Sequence, residues 1–135
     1  MKKLLQTYPG KIRFVVKNYP YKYRDYSRIA AQAFFAAADQ GKAWEMHDLL
    51  LEKSPKLDRK SLDGYAAWLQ LDMTRFSKAL DTMKDNQQIQ EEHDLAIKMD
   101  LYNTPTIFIN GIKVIGNRSF EYLQRIVEAE LNNAK

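Results

Sequence analysis

An order of strand, helical block, hairpin and final helix predicts an α/β fold, mostly helical, with the helices inserted between its strands. Three observations carry this. Lys11-Ile12-Arg13-Phe14-Val15-Val16-Lys17 is a β-branched and aromatic run of strand length. From Asp25 to about Leu101 apolar residues recur at helical spacing almost throughout. Thr104–Ile109 and Ile112–Ile115 then flank Asn110-Gly111, a strong short-range hairpin signal.

Composition bounds the answer. The 135 residues fit one domain, long enough to bury a core. No apolar run approaches the ~20 residues needed to cross a bilayer, so no membrane span is expected. The net charge of +4 permits contact with acidic partners without requiring it. Cysteine is absent. That removes disulfides, thiolate catalysis and cysteine-ligated metal in one step. With only His47 and His93, a histidine metal site is not expected, and no cofactor is implied.

The elements follow in order. Leu4 and Leu5 read as the last turn of a helix stopped by Tyr8-Pro9-Gly10. The 11–17 strand, continuous at Phe14-Val15-Val16, is expected to be covered on both faces, and Asn18-Tyr19-Pro20 ends it. Asp25 caps a helix with Ile29, Ala30, Ala33, Phe34 and Ala37 on one stripe, closed by Gly41. A second helix, from Lys42 to about Lys53, turns Met46 and Leu49 inward and stops at Ser54-Pro55. Asp58 caps a third, with Leu62, Ala66 and Leu69 on one face, and Asp72 a fourth, with Phe76 and Leu80. A fifth runs from about Asp85 to Leu101, with Ile89, His93, Ala96 and Ile97 on one side. After the hairpin, Ser119 caps a last helix with the stripe Phe120, Leu123, Ile126, Val127 and Leu131.

Three stretches carry a family resemblance. They are Tyr8–Pro20, Ala30–Ala33 through Gln40–Leu50, and Asn103-Thr104-Pro105-Thr106-Ile107-Phe108-Ile109-Asn110-Gly111. Together they resemble the DsbA-like thioredoxin fold of thiol–disulfide oxidoreductases. The resemblance implies an incomplete thioredoxin-like core at 1–24 and 102–135, and an inserted helical subdomain at 25–101. Members of the family begin with a central strand and a Cys-x-x-Cys at the start of a helix. Here the chain opens near the end of that helix, so the first strand and the active-site cysteines are both missing. The implied function is a disulfide oxidoreductase lineage, silent in dithiol exchange because no attacking thiolate exists. The alternative is a non-catalytic peptide-binding or assembly module. The family is mostly exported, which points to the periplasm, yet residues 1–5 hold no signal peptide.

The candidate site is therefore the loop Thr104-Pro105, with no catalytic residue. The resemblance makes the Pro105 peptide bond cis, and it makes the Thr104 backbone a docking edge for extended polypeptides. His47 is expected to be a half-exposed structural residue, and His93 a hydrogen-bonded one at the core margin. Trp44 and Trp68 are expected to pack among their apolar neighbours. Tyr19–Arg28 mixes four tyrosines with Lys22, Arg24 and Arg28, but it reads as a crossing loop, and nucleic-acid binding is not expected. Glu91, Glu92 and Asp94 read as a solvated acidic face. In the family's sheet the absent strand lies between 12–16 and 106–109, so both edges would stand open. A homodimer through that exposed edge is the expected remedy.

Overall fold

The computed structural model describes residues 1–133, so the last two residues of the 102–135 span lie outside the described residues. Among the described residues, seven helices and one two-stranded sheet make up a mostly helical fold, 56% helix. The helices are α1 (Lys2–Thr7), α2 (Ser27–Ala38), α3 (Ala43–Lys53), α4 (Arg59–Trp68), α5 (Met73–Asp81), α6 (Asn86–Lys98) and α7 (Phe120–Asn133). The strands β1 (Thr106–Ile109) and β2 (Ile112–Ile115) form the hairpin between α6 and α7. The chain divides into two compact units, Met1–Lys17 with Ile97–Lys135, and Asn18–Ala96.

In the 18–96 unit the helix ends follow local chemistry. The Asp58 carboxylate accepts the Ser61 N–H at 3.1 Å, and that of Asp72 accepts the Arg75 N–H at 3.0 Å. Each satisfies a donor that the first helical turn leaves open. α2 ends on Gly41 at φ +75°, with the Lys42 N–H reaching back to the Ala37 carbonyl at 2.9 Å, a Schellman closure that a side chain would strain. At the other end of α2 the expectation fails. The cap is Tyr26, left-handed at φ 65°, and Asp25 lies outside. The core gathers Ala33, Ala36 and Ala37 of α2, Met46 and Leu49 of α3, Leu62 and Ala66 of α4, and Phe76 and Leu80 of α5. The alanine stripe lets α3, α4 and α5 all approach α2 closely.

Other residues of this unit sit differently from their sequence reading. Trp68 is 73% exposed and Trp44 is also exposed. The buried stripe of α4 runs through Leu62, Ala66 and Leu69, and residue 68 falls off it. Trp44 meets the half-buried His47 edge-on. Glu92 is buried, not solvated. It accepts the Asn18 backbone N–H at 2.7 Å and the Asn18 side-chain amide at 3.0 Å, because the segment after residue 17 lies against α6. The neighbouring Tyr19 ring stacks on His93 with centroids 4.9 Å apart. His93 is buried, and its Nδ1 makes no hydrogen bond, lying 3.6 Å from the Asp94 carboxylate.

Gln32, fully buried, accepts the Asp85 N–H through its Oε1 at 3.1 Å, while its Nε2 and the Asp85 Oδ2 have no partner. Burial holds the Asp85 carboxyl above its usual range, with Lys84 opposing and Asp39 adding to the rise. The fold therefore favours the protonated acid. The cost to stability appears as pH rises above the unfolded value of 3.8 and is complete above the higher folded value. Asp85→Asn removes the charge at nearly the same side-chain size. Its Tm should exceed the parent's at pH 7, with the gap closing near pH 3.5. Equal gaps at both pH values, by circular dichroism, would contradict this.

In the other unit, Leu4, Val114, Leu123 and Val127 form a small core, with Tyr8, Ile12, Ile107, Ile109 and Phe120 packed around it. Asn110 and Gly111 both take positive φ, the conformation a tight two-residue hairpin turn requires. The Ser119 hydroxyl caps α7 by accepting the Tyr122 N–H at 3.2 Å. Ile97, expected inward, is exposed.

The expected 11–17 strand is not one. Its residues have the alternation of a strand, with Ile12, Phe14 and Val16 half-buried and Lys11, Arg13, Val15 and Lys17 exposed. Val15 is 56% exposed, so only one face is covered. Among the described residues no ladder partner lies beside it, and residues 12, 13, 15 and 16 enter no backbone–backbone hydrogen bond. β-propensity prepares a strand, but only pairing makes one.

Candidate functional site

Thr104 and Pro105 stand exposed at the head of β1. The Thr104–Pro105 peptide bond is cis, as is Ser54–Pro55. Two bonds shape the loop. The Thr106 hydroxyl donates to the Asn103 carbonyl at 2.7 Å, and the Gly116 N–H donates to the Pro105 carbonyl at 2.8 Å. The second continues the hairpin ladder one step beyond Thr106↔Ile115.

Register then decides which backbone groups are available. Ile109 faces Ile112 across the two-residue turn, and Ile107 faces Val114. In a hairpin of this kind these pairs exchange the ladder bonds, and the intervening residues turn their N–H and C=O away. Thr106 and Phe108 therefore direct their backbone groups to the outer edge of β1. No strand pairs with that edge among the described residues. The side chains obey the same alternation. Ile107 and Ile109 pack on the small core, while Phe108 and Ile115, each 37% exposed, lie on the opposite face with Lys113. The Lys113 ammonium donates to the carbonyls of Met99, at 3.2 Å, and Asp100, at 2.9 Å, anchoring the segment after α6 to the hairpin.

α1 is fastened to α7 by the Tyr8 hydroxyl, which donates to the Glu128 carboxylate at 2.7 Å. That bond holds the phenol above its usual pKa. Lys3 of α1 lies over the Phe120 ring, 4.1 Å from its centroid. Glu121 is held below the usual carboxylate range by its own backbone N–H, then by Ser119, with Lys3 helping. No three His, Asp or Glu side chains converge as metal ligands among the described residues. His47 and His93 lie on α3 and α6, away from the loop in sequence and in the other compact unit. The arrangement offers an open strand edge.

Sequence reasoning named the loop, but it read Glu92 as solvated and foresaw no contact for Asn18 or Lys113. Asn18 and Glu92 meet across 74 positions, and no local pattern announces such a pair. The outward amides of β1 were within reach, because the Asn110-Gly111 turn alone sets the register.

A family model described as Thioredoxin matches residues 1–129. The chain belongs to the thioredoxin family. This thioredoxin-family chain is 39% identical over 117 residues to the Na(+)/H(+) antiporter NhaA 1 of Salinispora arenicola, covering 86% of the chain and 18% of the antiporter. It is 30% identical over 116 residues to disulfide bond formation protein D of Bacillus subtilis, covering 78% of the chain and 51% of that protein. It thus spans about a fifth of the antiporter relatives and about half of the disulfide-forming one. A crystal structure of a thioredoxin-like oxidoreductase from Silicibacter pomeroyi superposes with a TM-score of 0.86 at 24% identity, over 97% of this chain and 75% of that one. That likeness is one of fold.

Proposed function

We propose that this chain is a DsbA-like, peptide-docking member of the thioredoxin family, in which the Thr104-Pro105 loop and the outer edge of β1 receive an extended polypeptide. The outward backbone groups of Thr106 and Phe108 carry the reading, because they are the hydrogen-bonding edge that strand addition uses. Likeness to disulfide bond formation protein D supports a polypeptide as the ligand. Thiol–disulfide exchange is not carried by these 135 residues, which contain no cysteine. Ion exchange forms no part of the proposal, since no described helix is long and apolar enough to cross a membrane.

A fluorescein-labelled octapeptide of alternating serine and valine tests it by anisotropy. Binding should be saturable and should weaken at least about tenfold with Phe108→Pro, which deletes an outward N–H while keeping the ladder to β2. Methylating the peptide's amides on one alternate set should abolish binding, and methylating the other set should not. Equal effects of the two sets, or no binding at all, would sink strand addition.

A second reading uses the same edge for a second copy of the chain, favoured by the exposed Val15, Phe108 and Ile115. Light scattering separates the two. A mass of 15.8 kDa at micromolar concentration removes the homodimer, and a doubled mass that peptide halves places both at one edge.

A further inference from the structure

Charge is divided unevenly between the two compact units. Residues 1–17 and 97–135 hold ten lysines and arginines against four acids, net +6, while residues 18–96 hold eleven against thirteen, net −2. The first seventeen residues contain five basic side chains and no acid. The unit that presents the open edge is thus the basic one, and its excess is concentrated at its N-terminal end.

Part of that charge is set in strand order. In 11–17 the half-buried positions are Ile12, Phe14 and Val16, and the exposed ones are Lys11, Arg13, Val15 and Lys17. Ile12 packs on the same core as Ile107 and Ile109 of β1, so the segment and the hairpin share one apolar floor. Neither Lys11 nor Arg13 enters an ion pair among the described residues. A strand laid along this segment would place alternate side chains opposite cations and the intervening ones toward the apolar floor.

We propose that the polypeptide received here is an extended segment with acidic residues at alternate positions and apolar residues between them, selected by Lys11 and Arg13. This rests on the peptide-docking reading and names its ligand class. The spacing is what favours a peptide over other polyanions. Cations two residues apart on a period-2 backbone match the side-chain repeat of a strand, and the exposed positions of 11–17 carry no aromatic ring for a base to stack on. Opposite charges across a strand pair add only a modest energy each, so several must act together, and salt should weaken them.

The test compares fluorescein-labelled octapeptides (Glu-Val)4, (Ser-Val)4 and (Lys-Val)4 on the full chain. At about 50 mM salt, (Glu-Val)4 should bind at least about tenfold tighter than (Ser-Val)4, and (Lys-Val)4 more weakly than either. The advantage should shrink to about twofold at about 0.5 M salt. The double substitution Lys11→Glu with Arg13→Glu touches only exposed side chains. It should reverse the order, so that (Lys-Val)4 binds best and (Glu-Val)4 worst. If (Glu-Val)4 and (Ser-Val)4 bind alike, the acidic preference is wrong and the docking edge stands. If none of the three binds, the docking reading itself fails. A labelled thymidine decamer binding as tightly as (Glu-Val)4, and lost with the same double substitution, would overturn the peptide in favour of general anion capture.

Discussion

Phe76→Ala should cost about 3–5 kcal/mol, the range for truncating a buried aromatic ring. Phe76 is fully buried and the largest of the fully buried side chains. It sits on α5, which packs against both α2 and α4, so its ring fills space that three helices share. A domain of this size has about 5–15 kcal/mol in all, and the loss is a large share of it. With a urea slope of about 2 kcal/mol/M, the midpoint should fall by about 2 M. Phe76→Leu retains most of the volume and should lose less than half as much. A fall below about 0.5 M for the alanine variant would show that α5 is not packed as described.

Glu92→Ala should release the segment that follows residue 17 from α6. The carboxylate accepts both the backbone and side-chain N–H groups of Asn18, and it is itself buried. Hydrogen bonds to a charged acceptor contribute about 1.5–3 kcal/mol, and removing the acceptor leaves a backbone donor without its partner. The adjoining Tyr19–His93 stack loses its alignment with it. Lys22 and Arg24 are exposed in the segment so held, and both are trypsin sites. Early tryptic cleavage there should accelerate several-fold in Glu92→Ala and less in Glu92→Gln, which keeps one acceptor oxygen. Unchanged cleavage in both variants would mean that the Asn18 bonds do not hold the segment.

The two experiments probe different kinds of legibility. Phe76 was visible in the sequence because Met73, Phe76 and Leu80 follow helical spacing after the Asp72 cap, and an aromatic on such a stripe has one place to go. Glu92 was misread by the same logic. Its neighbours Glu91 and Asp94 are exposed, and a charged residue among charged residues reads as solvent-facing until a distant segment covers it. Trp68 erred in the opposite direction, since its size suggested burial while its angular position on α4 excluded it.

For the proposed docking site, the Thr104-Pro105 loop, the hairpin and its turn were all legible, because proline, asparagine and glycine act on the backbone within a few residues. The 11–17 segment shows the limit of such reading. Its composition suited a strand covered on both faces, yet only the face of Ile12, Phe14 and Val16 is covered and Val15 stands exposed. Whether it would pair, and which face would stay in water, depended on what lies beside it. By itself the sequence determined the capped starts of α4, α5 and α7, the hairpin register and the absence of a thiol, all properties of neighbouring residues. Tertiary structure alone decided the burial of Glu92 and the exposure of Trp68. Each depends on contacts between residues far apart in the chain, and no local periodicity encodes them.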